Sequence, residues 1–210
     1  MTVRLVLADN DSVKGKTQKA EITRQRILDA AVDFFYEYGY EKASLQNIAD
    51  QVGLTKAALY HHFKSKEEIL YTIIEKYTNQ LVFALKSSVS KSGDPAESLK
   101  NAIFQHVSLL RTQKKGAKII IEDKRFLTKD LQGPGREKER IIFRFYQDIL
   151  LQLKKKSKLK DIDITVATFG ILGQINWLYH WYRPDKPLSF EQVADILIRL
   201  LFHGLLEQNG

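Results

Sequence analysis

The densest run of side chains able to do chemistry lies between Gly53 and Leu70. It reads Gly53-Leu-Thr-Lys-Ala-Ala-Leu-Tyr-His-His-Phe63, then Lys64-Ser-Lys-Glu-Glu-Ile-Leu70. Hydroxyls, cations and aromatic rings crowd a short stretch, and the chemistry they offer is binding. Hydroxyls at helix starts and basic side chains hydrogen-bond phosphate oxygens. An exposed short helix carrying Tyr and Lys reaches base edges in the major groove. Catalysis has no comparable foothold. His61 and His62 are adjacent and point apart on a helix. His106, His180 and His203 are scattered, without general-base partners or metal-ligand spacing. The chain has no Cys, so disulfides, thiolate metal sites and Cys nucleophiles are excluded. The residues point to no enzyme, no catalytic residue and no metal site.

Short helices must position this run. Ile27, Ala31, Phe34, Phe35 and Tyr38 recur at helical spacing, and Gly39 closes that helix. Ser44 caps a helix from Leu45 to Val52, and Gly53 supplies a turn. Thr55 caps a third helix ending near His62; Ser65 caps a fourth, with Glu68 as capping-box partner. Ile27, Ala31, Phe34, Leu45, Ile48, Ala49, Leu54, Leu59 and Phe63 form the expected core.

From about Thr23 to Leu70 the chain resembles the TetR-type repressors. The resemblance rests on Ile27-Leu-Asp-Ala-Ala31, Phe35, Gly39, Ser44, Ile48-Ala49, Gly53, Leu59-Tyr60, His62-Phe63 and Lys66-Glu67. The family usually has Thr at the place of Ser44 and often Gly at that of Ala57. The resemblance implies a DNA-binding head of three helices followed by about six more, a homodimer, and double-stranded operator DNA as partner. It turns Lys56, Ala57, Ala58, Tyr60 and His61 toward DNA. It assigns Ser44 and Thr55 to phosphates, with His62 and Lys66 as flanking contacts. Arg24 belongs to a basic cluster, Lys14 to Arg26, placed where an arm meets the backbone.

The chain has 210 residues, 44% of them hydrophobic, and a net charge of +8, which favours polyanionic partners. It shows no membrane span and no signal peptide; with the absence of Cys this sets a cytoplasmic expectation and no membrane partner. A second basic cluster, Lys154 to Lys160, reads as a solvated helix end. Val3-Arg-Leu-Val-Leu-Ala-Asp-Asn-Asp11 looks like the opening strand of a receiver domain, but no strand and helix alternation follows. The expected organisation is a flexible extension over 1–18, a helix-turn-helix domain over 19–64, and a ligand-binding and dimerisation domain over 65–210. Beyond Leu70 the expected helices run to about Ser90, Ala96 to Gln113, Ala117 to Leu127, Glu137 to Lys156, Ile164 to Tyr182 and Ser189 to Leu206. Gly133-Pro-Gly135 and Arg183-Pro-Asp-Lys-Pro187 are breaks. The fold class is all-α, about nine helices.

Ala167, Gly170 and Gly173 put small residues on one side of the eighth helix, and Leu197, Leu200 and Leu201 sit in a broad stripe on the last. In the resembled family these two helices form the dimer interface. Asn176-Trp-Leu-Tyr-His-Trp-Tyr-Arg-Pro184 concentrates aromatics before Arg183. It resembles a run in the subgroup of the family that answers to acyl-CoA thioesters in lipid catabolism. That implies an acyl-CoA inducer and no required cofactor. An apolar chain and phosphates need an apolar wall and basic side chains. Phe104, Phe126, Phe143, Phe169, Trp177, Trp181 and Arg183 are the candidates for ligand contact. A drug-efflux repressor with a cationic ligand, and a helical acyl-binding carrier or enzyme, are the alternatives.

Overall fold

The computed structural model describes residues 4–183, 185 and 187–206, with side chains from Thr17 onward. Nine α-helices occupy the described residues: α1 Arg4–Lys42, α2 Leu45–Gln51, α3 Lys56–His62, α4 Lys66–Ser87, α5 Pro95–Thr112, α6 Lys114–Asp123, α7 Lys129–Lys155, α8 Ile164–Trp181 and α9 Phe190–Leu205. A 3-10 turn over Lys124–Phe126 follows α6. No strand occurs among the described residues; one antiparallel bridge joins Leu159 to Leu206.

The chain forms two compact units. Unit 1 comprises Met1–Ile74 and Ile119–Leu127; unit 2 comprises Glu75–Lys118 and Thr128–Gly210. The cores follow helical periodicity. Ile27, Ala31, Phe35, Ile48, Ala49, Leu59 and Phe63 are buried in unit 1. Phe34, Leu45 and Leu54 are only half-buried. In unit 2 Leu99, Ile103, Tyr146, Leu150, Ile171, Ile175, Ala194 and Leu201 lie in one apolar cluster.

Caps set most helix limits. Asp163 accepts from Val166 N at 2.8 Å at the start of α8. Ser189 and Gln192 close a full capping box at α9, at 3.2 and 2.8 Å. Gly39 interrupts α1 with φ 77° and ψ 157°, a region open in practice only to glycine.

The backbone is helical from Arg4. The side chains of residues 1–16, where the flexible extension was expected, lie outside the described residues. Gly133-Pro-Gly135 is no break, because α7 runs through Pro134. The proline falls in the second turn and forfeits only the bond to the Asp130 carbonyl, while the flanking glycines carry no side chain to crowd its ring. The segment expected as one helix to Leu127 instead leaves α6 at Asp123 and finishes as a 3-10 turn. The second basic cluster is tied down: Lys158 pairs with Asp94 at 3.4 Å and Lys160 Nζ donates to the His203 carbonyl at 2.6 Å.

Candidate functional site

Unit 1 carries the short helix α3. Thr55 Oγ1 accepts from Ala58 N at 3.1 Å, which starts the helix. Ser44 Oγ accepts from Gln46 N at 3.1 Å and starts α2. Gly53, at φ 71°, makes the turn between them. Leu59 is fully buried, so helical spacing turns its opposite face outward. Lys56, Ala57, Tyr60 and His61 are exposed there, with Tyr60 at 45%. Ala58 and His62 are half-buried at the edges. An exposed aromatic phenol, an ammonium and an imidazole on a two-turn helix make a surface for base edges and phosphates.

Two of the expected phosphate ligands are engaged elsewhere in the head. The Arg24 guanidinium lies 3.9 Å from the Phe63 ring centre, donates to the His62 carbonyl, and pairs with Glu68 at 3.6 Å. It therefore seals the carbonyl end of α3 against α1 and α4. Lys66 Nζ donates to the Glu41 carbonyl at 3.1 Å and sits 4.4 Å over the Tyr40 ring. Burial pushes the Lys66 ammonium down from its ordinary range, and the carboxylates of Asp123 and Glu41 oppose that shift. Arg26, the last member of the first basic cluster, donates to the Val52 carbonyl at the end of α2, at 2.9 Å. A cation that closes a helix C-terminus and one that waits for phosphate are the same residue type, so only the fold separates them.

Unit 2 scatters the expected ligand contacts. Phe126 belongs to unit 1, stacked 5.3 Å from Tyr40. Phe143 and Phe169 meet at 4.9 Å, but Phe169 is 62% exposed. Trp177 and Trp181 are also exposed, as is Arg183, whose guanidinium donates to the Tyr182 carbonyl at 3.4 Å. Phe104 edges onto Phe190 at 6.5 Å. These rings do not converge on one cavity, because α8 turns Phe169 and Trp177 outward while Ile171 and Ile175 face the core. Cavities open elsewhere among the described residues. One of about 240 Å³ lies between α4 and α7, and one of about 40 Å³ lies among α5, α8 and α9. Arg111 at the second pairs with Glu191 at 3.3 Å and covers Phe190 at 4.6 Å.

The expected dimer residues divide in two. Ala167, Leu197 and Leu201 are buried in the core of their own unit. Gly170, Gly173 and Leu200 face outward beside Val166, Phe169, Trp177 and Ile196. Nothing lies within 4 Å of a Cβ built on Gly170, Gly173 or Gly204.

A polar pair stands in the middle of the unit 2 core. The Tyr146 hydroxyl donates to the Ala102 carbonyl at 3.3 Å, and His106 Nδ1 meets its oxygen at 3.1 Å. Burial pushes the His106 imidazole down to about 4 and the Tyr146 phenol well up. Neither residue carries a sequence signal, since each stands alone on its own helix. Among the described residues no group of three His, Cys, Asp or Glu is placed to hold a metal. No described helix is long and apolar enough to cross a membrane.

Comparison with known proteins agrees with this geometry. Residues 27–72 match the bacterial regulatory proteins of the tetR family, and residues 92–205 match the tetracyclin repressor-like C-terminal domain. The HTH-type transcriptional repressor KstR2 of Mycolicibacterium smegmatis is 26% identical over 194 residues, spanning 89% of this chain and 92% of that protein. The fatty acid metabolism regulator protein of Bacillus subtilis is 24% identical over 182 residues, spanning 86% and 94%. The crystal structure of AibR in complex with isovaleryl coenzyme A and operator DNA aligns with a TM-score of 0.80 at 29% identity, covering 86% of this chain and 98% of that one. A match to both models, over residues 27–72 and 92–205, makes the chain a member of the tetR family: a DNA-binding transcriptional regulator that needs no cofactor, and not an enzyme.

Proposed function

We propose that the protein is a cytoplasmic repressor that holds double-stranded operator DNA as a homodimer and lets go when an acyl-CoA binds unit 2. The carrying observation is the outward face of α3, where Lys56, Ala57, Tyr60 and His61 stand clear of a core anchored by Leu59. Two such helices about one turn of DNA apart, roughly 34–36 Å, read a pseudo-palindrome. The ligand class is supported by relatives whose names refer to fatty acid metabolism and to isovaleryl coenzyme A. A cavity rim that carries Lys86 and Arg144 against the single carboxylate of Asp148 suits an anion and disfavours a cationic drug. The acyl-CoA acts by binding the DNA-free state better than the DNA-bound one.

The test begins with the operator, recovered by selecting genomic fragments on the purified dimer. Anisotropy titrations then compare operator and random duplex across salt. Tyr60→Ala should lose about 1–3 kcal/mol of discrimination with little change on random duplex. Unchanged operator affinity in a folded Tyr60→Ala protein would remove this face as the reader. In parallel, acyl-CoAs of several chain lengths are added to the operator complex. Release by at least one is expected, and no release by any sinks the inducer class while leaving the DNA reading intact.

A further inference from the structure

The apolar interior of unit 2 reaches solvent in a groove between the second half of α4 and the middle of α7. Its volume is about 240 Å³, and its walls are Val82, Leu85, Ile141, Ile142 and Phe145. Lys86, Arg144 and Asp148 stand on the rim. Lys86 and Arg144 are exposed, and neither has an ion-pair or hydrogen-bond partner among the described residues. The cavity among α5, α8 and α9 differs on both counts. It holds about 40 Å³, and its cations are occupied, Arg111 by Glu191 at 3.3 Å and Lys114 by the Tyr182 carbonyl at 3.5 Å.

The geometry points to the α4–α7 groove as the seat of the acyl chain of an anionic thioester, with Lys86 and Arg144 receiving its phosphates. This rests on the acyl-CoA reading above and adds the place and the kind of chain. An apolar trough with unpaired cations at its mouth matches a molecule that is hydrocarbon at one end and polyanionic at the other. A guanidinium fork meets phosphate oxygens two at a time, and a lysine adds a mobile point charge. Asp148 sets a limit on where phosphate lies, since it repels an anion from its own side of the rim. The volume selects the chain. Pockets that enclose drug-sized ligands run from about 300 to 1,000 Å³. A groove below that range accepts a single flexible chain of short to medium length and rejects a fused-ring skeleton. The location also has a consequence: α4 supplies residues to unit 1 up to Ile74 and to unit 2 from Glu75, so a chain seated against Val82 and Leu85 bears on a helix common to both.

The experiment is calorimetric titration of the full-length protein with octanoyl-CoA, free CoA and the CoA thioester of a fused-ring acid. Octanoyl-CoA should bind tightest. The double variant Lys86→Ala/Arg144→Ala should weaken it at least tenfold, about 1.4 kcal/mol. Ile141→Trp, at a site 37% exposed, should fill the groove and weaken it as much with an unchanged melting temperature. Lys154→Ala, which removes a cation elsewhere on α7, should leave it unchanged. If the wild type binds octanoyl-CoA and both groove variants bind it equally well, the groove is not the seat and the acyl-CoA reading stands. If Ile141→Trp alters only the oligomeric state, the groove belongs to a contact between copies and the inference fails. A tighter fused-ring thioester overturns the chain assignment. Binding of no acyl-CoA by the wild type overturns both this inference and the reading beneath it.

Discussion

Single residues here are governed by what surrounds them more than by their type. Arg24 and Lys66 carry full charges, yet their guanidinium and ammonium are spent on the His62 and Glu41 carbonyls and on the Phe63 and Tyr40 rings. Their loss should loosen the head rather than subtract one phosphate contact. Tyr60, Lys56 and His61 are exposed and have no such engagement among the described residues, and the proposed reading assigns them to DNA. His106 shows the opposite extreme. Burial holds its imidazole neutral in the folded unit, down to about 4, against 6.5 for the unperturbed group. Below pH 6.5 the unfolded chain takes up a proton that the folded unit refuses. Stability is therefore whole above about 6.5 and is lost as pH falls toward about 4, by on the order of 3 kcal/mol. Urea midpoints at pH 7, 6 and 5 should fall in the wild type more steeply than in His106→Gln. Parallel curves for the two proteins would show that His106 is not the proton acceptor. The exposed face of α3 was legible in the chain because Leu59 and Phe63 fix the inward side of a short helix. The His106–Tyr146 pair was not, because its partners are far apart in sequence.

Helices were mostly legible as elements. The caps at Ser44, Thr55, Asp163 and Ser189 act over two or three residues, so their hydrogen bonds follow from local order alone. Pro134 misled because its effect depends on position within a helix whose start is set by packing. The short segment Ile119–Leu127 is the most consequential element. It comes from the middle of the chain, between two stretches of unit 2, and contributes to unit 1. Phe126 in it stacks on Tyr40 at 5.3 Å, and Tyr40 edges onto the buried Phe35 at 5.3 Å. Phe126→Ala should cost about 1–2 kcal/mol, less than a fully buried phenylalanine because the ring is half-buried. If this segment carries the signal, the same variant should bind operator and acyl-CoA separately but lose much of the coupling between them. The readout is the ratio of operator affinities with and without saturating ligand. A ratio equal to that of the wild type would remove the segment from the path.

At the scale of the molecule, one chain leaves an apolar face uncovered. Val166, Phe169, Trp177 and Leu200 are all more than 60% exposed, with open space above Gly170 and Gly173. A contiguous apolar face of this kind marks an interface, and a twofold pairing of α8 and α9 would cover it. Gly170→Arg adds a side chain where nothing crowds it in the single chain, so each subunit should still fold. The buried charge should separate the dimer, and operator affinity should fall by about 10²–10⁴ as the two heads lose their shared tether. Sedimentation of the variant as a stable dimer would place the interface elsewhere. The sequence alone determined the all-helical class and, through the run from about Thr23 to Leu70, the family, because periodicity, caps and glycine turns are short-range properties of neighbouring residues. Only the tertiary structure decided which cations are free, that Phe169 and Trp177 face outward while Ile171 and Ile175 face in, and that Phe126 belongs to the head. Those outcomes depend on which surfaces distant helices bury against one another, and many sequences with the same local pattern would resolve that competition differently.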